Sequence, residues 1–257
     1  MLPISVEVIL NSMVLWAAPF LRLSAMFIVA PVFSAAGLNV RTRVLMAVLI
    51  AALVAPVLPP PPVQTLFSGA GLLMAVREIG VGITIGFVLQ LAFASVVIAG
   101  QSVAMTMGLG FAMSVDPQNG VQVPVVSQFN VIMATLLFLA LDGHLVLIAT
   151  VVESYNVMPA SVAGLPATSF VNVVGLGSQI YAAGLLLALP ALTALLLVNI
   201  SFGVMTRAAP QLNIFAVGFP LTITAGFIML FLAMPGFINV LTRLFNDALS
   251  QTLLVFG

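Results

Sequence analysis

The chain has 257 residues, 63% of them hydrophobic and 5% charged, with mean hydropathy +1.32 and zero formal net charge. A soluble domain is roughly 45–50% apolar and about 25% charged, so these few charges cannot cover a surface that faces water; a polytopic membrane protein is predicted. Zero net charge leaves no basic footprint for nucleic acid, and the absence of cysteine excludes disulfides, thiolate metal sites and cysteine nucleophiles.

In chain order, residues 1–13 carry Glu7 and no Lys or Arg, unlike the positive start of a cleaved signal peptide, so the first apolar run is expected to stay in the mature chain. Six apolar stretches approach the ~20 residues that cross a bilayer as helix. They run over about 8–33, 44–58, 72–100, 129–152, 180–202 and 212–237. None alternates with period two, so the predicted fold class is all-α and a β-barrel is excluded.

Pro59, Pro60, Pro61 and Pro62 separate the second and third stretches as a stiff, extended connection. Gly82 and Gly86 have the spacing that lets helices approach closely in lipid. A longer polar loop is expected over about 153–178. Pro19, Pro31, Pro190, Pro220 and Pro235 fall inside apolar stretches and predict kinks. Lysine is absent. Arg41, Arg43 and Arg207 share one side if the N-terminus is outside, which leaves Arg243 alone on the other; the positive-inside rule prefers that orientation.

Between the third and fourth stretches, about 106–124, the chain turns polar and glycine-rich. Asp116-Pro117 and Asn119-Gly120 mark turns, because Pro fixes its own backbone and Gly accepts positive φ. Unpaired backbone in lipid costs several kcal/mol per group, so this segment must reach water or line a cavity. It is read as the working part of the molecule. Met105, Met107 and Met113 add flexible thioethers suited to a deformable seal, although methionine is more often a packing filler.

Ionisable residues are few. Arg22 sits inside the first stretch, where a central Arg costs roughly 2.5–3.5 kcal/mol to insert. Either the span ends near Pro19 and Arg22 reaches the interface, or Arg22 faces a partner or an aqueous path. Arg77 and Glu78 are adjacent, so on a helix they do not face each other, and they are expected at an interface or paired with other helices. Asp142-Gly143-His144 is the one place where a carboxylate and an imidazole lie together. A proton relay is one reading, but a helix break at the interface is preferred, because a lone His and one Asp make neither a triad nor a metal shell. Ser114 lies outside any GxSxG, and Gly108-Leu109-Gly110 lacks the third glycine of a nucleotide loop. No catalytic set, cofactor site or metal site is expected.

Four ordered blocks resemble the FliR family, the membrane component of flagellar type III export, with SctT relatives in injectisomes. They are GLGFAMSVDP at 108–117, LLFLALDGHL at 136–145, REIGVGITIGF at 77–87 and RAAPQLNIFAVGFP at 207–220, with LNVRTR before the second stretch. Asp142 departs from the pattern, where a small polar residue such as Asn is expected. The resemblance implies a FliP-like helical part over 1–178 and a FliQ-like helical hairpin with its tail over 179–257. It implies one copy joining FliP and FliQ in a helical export gate in the bacterial inner membrane, with FlhB and FlhA nearby and unfolded export substrates in transit. The loop at about 106–124 would be the pore plug, with Met107, Gly108, Gly110, Phe111, Met113, Asp116, Pro117 and Gly120. Arg207, Pro210, Gln211 and Asn213 would face the cytoplasmic entrance. Independently of the resemblance, Arg22, Arg77, Glu78, Asp142 and His144 are candidate buried polar residues. An injectisome gate subunit and a proton-coupled secondary transporter are the rival functions.

Overall fold

A computed structural model describes residues 6–35, 37–61, 68–110, 124–208 and 214–256. Its helices are α1 (Val6–Val29), α2 (Val40–Val54), α3 (Gly69–Thr106), α4 (Val125–Ala140), α5 (Gly143–Val157), α6 (Ala167–Ala208) and α7 (Ile214–Thr252). Single 3-10 turns follow α2 and α7, and there is no strand among the described residues. The chain is all-α, as the lack of period-two patterning requires.

Four of these segments are long and apolar enough to cross a membrane: Val40–Val57, Gly69–Thr106, Ala167–Ala208 and Gly218–Val255. The pair α4 and α5 makes a fifth if counted together. Leu15–Val29 is a shorter apolar segment. The expected fourth span, 129–152, is therefore not one helix. It breaks at Leu141–Asp142, where Asp142 adopts φ 55. The expected polar loop at 153–178 is also shorter. Helix α5 runs on to Val157, and α6 begins at Ala167, directly after Pro166, whose fixed φ suits a helix start.

The chain forms two compact units. One comprises Met1–Leu91, Asp142–Ser178 and Asn246–Gly257; the other comprises Ala92–Leu141 and Gln179–Phe245. In the first, α3 packs on α1 through glycine. A Cβ added at Gly82 would fall on the Arg22 carbonyl and Ala25, and one at Gly86 would come within 2.9 Å of the Met26 carbonyl oxygen. Small residues at this spacing let two backbones meet and gain dispersion contacts where lipid offers no hydrophobic drive. Helix α1 continues through Pro19 to Val29. Asn39 caps α2, its side chain accepting from the Arg41 amide at 3.3 Å. Ala18, Met74, Tyr155 and Ala160 form a buried cluster, with Leu58 against it.

In the second unit, α3 and α4 meet at Gly100, where an added Cβ would lie 2.5 Å from the Ser127 Cα. Ser127 donates from its hydroxyl to the Val97 carbonyl at 2.8 Å. Phe93, Phe138 and Phe245 pack together with ring centroids 5.2–6.1 Å apart. Most other hydroxyls on the apolar helices turn back to their own helix, as Thr84 does to the Gly80 carbonyl and Thr135 to the Val131 carbonyl.

Candidate functional site

Among the described residues, polar groups from three helices gather at two places. The first is a buried ion pair between α1 and α3. Gly82 presses α3 against the backbone of Arg22, and Glu78 lies one turn earlier on the same helix. Arg22 donates from Nε to Glu78 Oε2 and from Nη2 to Glu78 Oε1, each at 2.9 Å. Both side chains are fully buried. Arg22 also donates from Nη1 to Ser154 Oγ at 2.7 Å and from Nη2 to the Met158 carbonyl at 2.9 Å. Tyr155 donates its hydroxyl to Glu78 Oε2 at 2.8 Å and places its ring 3.6 Å from the Arg22 guanidinium carbon. A forked guanidinium–carboxylate pair carries geometry as well as charge, and the surrounding hydrogen bonds offset its desolvation. Arg77, next along α3 and also buried, donates from Nη2 to the Met158 sulfur at 3.4 Å, while its Nε and Nη1 have no hydrogen-bond partner among the described residues. Arg22, Glu78, Ser154, Tyr155, Met158 and Arg77 are all buried. The cluster ties α1, α3 and α5 at one level.

The second place is the end of α3, where the polar loop begins. A helix leaves its last carbonyls without intrahelical partners. Here the Leu109 amide donates to the Ala104 carbonyl at 3.0 Å and the Gly108 amide to the Met105 carbonyl at 3.1 Å. Gly108 has φ 83, the left-handed turn that glycine adopts without penalty. These features define a Schellman cap. The next two carbonyls are met from other helices. Asn199 of α6 donates from Nδ2 to the Thr106 carbonyl at 3.2 Å, and Thr222 of α7 reaches the Met107 carbonyl at 3.3 Å. Met107 is fully buried, and Gly226 leaves room for it: a Cβ there would come within 2.5 Å of the Met107 side chain.

Of the expected plug residues, Met107, Gly108 and Gly110 belong to this root. Phe111, Met113, Asp116, Pro117 and Gly120 lie outside the described residues. So do Pro210, Gln211 and Asn213, whereas Arg207 is exposed in the last turn of α6. Arg22, Arg77 and Glu78 are buried, and Arg22 faces a protein partner rather than water. Asp142 is corrected: it is exposed, because it holds the left-handed corner between α4 and α5. Asp and Asn tolerate that conformation better than most side chains, which explains why Asp can stand where Asn is expected. His144 is half-buried, with Nδ1 enclosed and without a hydrogen-bond partner among the described residues. No three metal-ligating side chains gather among the described residues. Sequence reasoning missed Tyr155, Ser154, Asn199, Thr222 and Gly226. For Asn199 a signal existed: it is an amide inside an apolar run, and polar groups there must find partners.

The model for bacterial export proteins, family 1, matches residues 13–248. The flagellar biosynthetic protein FliR of Pectobacterium carotovorum is 40% identical over 231 residues, covering 89% of this chain and 87% of the relative. The FliR of Escherichia coli K12 is 38% identical over 247 residues, 96% and 94% of the two chains. That of Bacillus subtilis is 29% identical over 230 residues, 88% of each. The chain belongs to the FliR family. In this FliR-family chain the buried ion pair between α1 and α3 lies within the matched region.

Proposed function

We propose that this chain is the FliR subunit of the flagellar type III export gate in the bacterial inner membrane. The match over residues 13–248 carries the reading, and the flagellar names of the relatives at 40% and 38% identity favour the flagellum over the injectisome. In this reading one copy joins FliP and FliQ and closes their helical assembly. Residues 1–178 are the FliP-like part, and 179–257 are the FliQ-like hairpin and tail. Arg207, Pro210, Gln211 and Asn213 face the cytoplasmic entrance, near FlhB and FlhA. The chain works by assembly and gating, without catalysis or a cofactor.

The loop at about 106–124 is the pore plug. A closed gate must stop ions and later pass an unfolded chain. A weakly charged loop that leaves its helix through a left-handed glycine can reorient at that glycine without unwinding the helix. Co-expression with cognate FliP and FliQ, purification on a tag on this chain and single-particle imaging test the assembly. One particle containing all three supports it; a monodisperse particle of this chain alone points to a transporter instead. Deleting residues 108–119 is expected to raise ion conductance while the complex still forms, and background conductance would remove the plug role.

A further inference from the structure

We propose that Asn130 binds one ordered water molecule in a cavity between α3, α4, α6 and α7. The cavity measures about 30 Å³ and lies within the second unit. Ala99 of α3, Leu187 and Ala191 of α6, and Leu230 and Met234 of α7 are among its walls. Every lining residue is a described one, and Asn130 carries the one polar side chain among them. Asn130 is only 6% exposed, and among the described residues its side-chain amide makes no hydrogen bond. Gly100 gives that amide its room, since a Cβ there would lie 3.0 Å from Asn130 Nδ2.

An amide side chain offers donors and acceptors at once, and leaving them unmet in an apolar enclosure is costly. A water needs about 10–15 Å³ of such space, whereas a cavity that takes benzene measures roughly 150 Å³. The volume here therefore admits water and excludes an acyl chain or a larger solute. The kinked walls supply a second partner. Pro190 and Pro235 have no amide proton, so the carbonyls of Leu186 on α6 and Phe231 on α7 lack the donor that a regular helix places one turn ahead. Each of these carbonyls belongs to the neighbour of a lining residue, Leu187 or Leu230. In membrane helices ordered water meets carbonyls freed in this way. The water thus joins the amide of α4 to a kinked wall of the cavity.

Hydroxyl-radical labelling of the full-length protein tests this, because radicals formed from a bound water mark the side chains around it even where bulk solvent is excluded. Leu187 lines the cavity and is 8% exposed, while Leu195, farther along α6, is fully buried and is not among the walls. We expect Leu187 to be labelled well above Leu195 in the parent. Asn130→Leu removes the amide at nearly constant volume and should bring Leu187 down to the Leu195 level. Ala233→Val enlarges a lining side chain, keeps Asn130 and should displace the water with the same loss of label. If Leu187 is labelled no more than Leu195 in the parent, the cavity is dry and the proposal fails. If Asn130→Leu leaves the Leu187 label at the parental level, the label comes from solvent that Asn130 does not hold, and the assignment falls. Should Asn130→Leu yield no folded protein, Ala233→Val decides: loss of the label supports the water, and a parental label overturns it.

Discussion

Arg22 and Glu78 illustrate why a half-broken ion pair is worse than none. Each is fully buried, and Glu78 accepts from Arg22 twice and from Tyr155 once. Glu78→Ala leaves a guanidinium enclosed without its carboxylate. We expect it to lower stability by about 3–5 kcal/mol, whereas the Arg22→Met, Glu78→Met double variant costs much less. Thermal unfolding of the detergent-solubilised protein separates the two; equal losses would mean that packing, not charge, dominates. Gly108 is the other sensitive residue. Its φ of 83 penalises any side chain, so Gly108→Ala should cost about 1–2 kcal/mol, read in the same unfolding assay against Gly110→Ala.

At the scale of elements, glycine decides which helices meet. A Cβ at Gly82 falls on backbone of α1, which cannot move aside as a side chain can. Gly82→Val should therefore separate α1 from α3, disturb the Arg22–Glu78 register and cost about 1–3 kcal/mol or more. Protease protection of the α1–α3 region would show it; unchanged protection would mean that the contact is slack. The spacing of Gly82 and Gly86 announced such a contact from sequence, because small residues at that interval have few other uses in an apolar helix. It did not name α1 as the partner, since pairing across 56 residues depends on which faces abut. For the same reason Arg22 could be flagged as costly while its carboxylate stayed open. Helix ends were less readable than helix cores. The break within 129–152 was signalled by Asp142-Gly143, yet apolar residues continue on both sides, so the run looked like one span. The Schellman cap at Gly108 was foreshadowed by glycine alone. The donors on α6 and α7 that complete it belong to tertiary structure.

Across the whole molecule, three helices exceed what a bilayer needs. At about 1.5 Å per residue, the 38, 42 and 39 residues of α3, α6 and α7 measure about 57, 63 and 58 Å, against a hydrocarbon core of about 30 Å. Their outer faces stay apolar, with Leu197, Val204, Phe231 and Leu232 each more than 60% exposed. Much of that surface has to be covered by lipid or by other chains, and the co-purification experiment reads directly on which. The ion pair has a further consequence, in time rather than space. A ribosome adding roughly 5–20 residues per second needs about 3 to 11 seconds to travel the 56 residues from Arg22 to Glu78. During that interval the Arg22 guanidinium lacks the Glu78 carboxylate that pairs with it in the folded chain. Nascent chains stopped before Glu78 should be cleared by membrane proteases faster than chains stopped after it, and pulse-chase of the two truncations measures the difference. A faster loss of the shorter chains would mean that order of synthesis matters to this fold, because the first helix gains its buried charge partner only once the third has arrived.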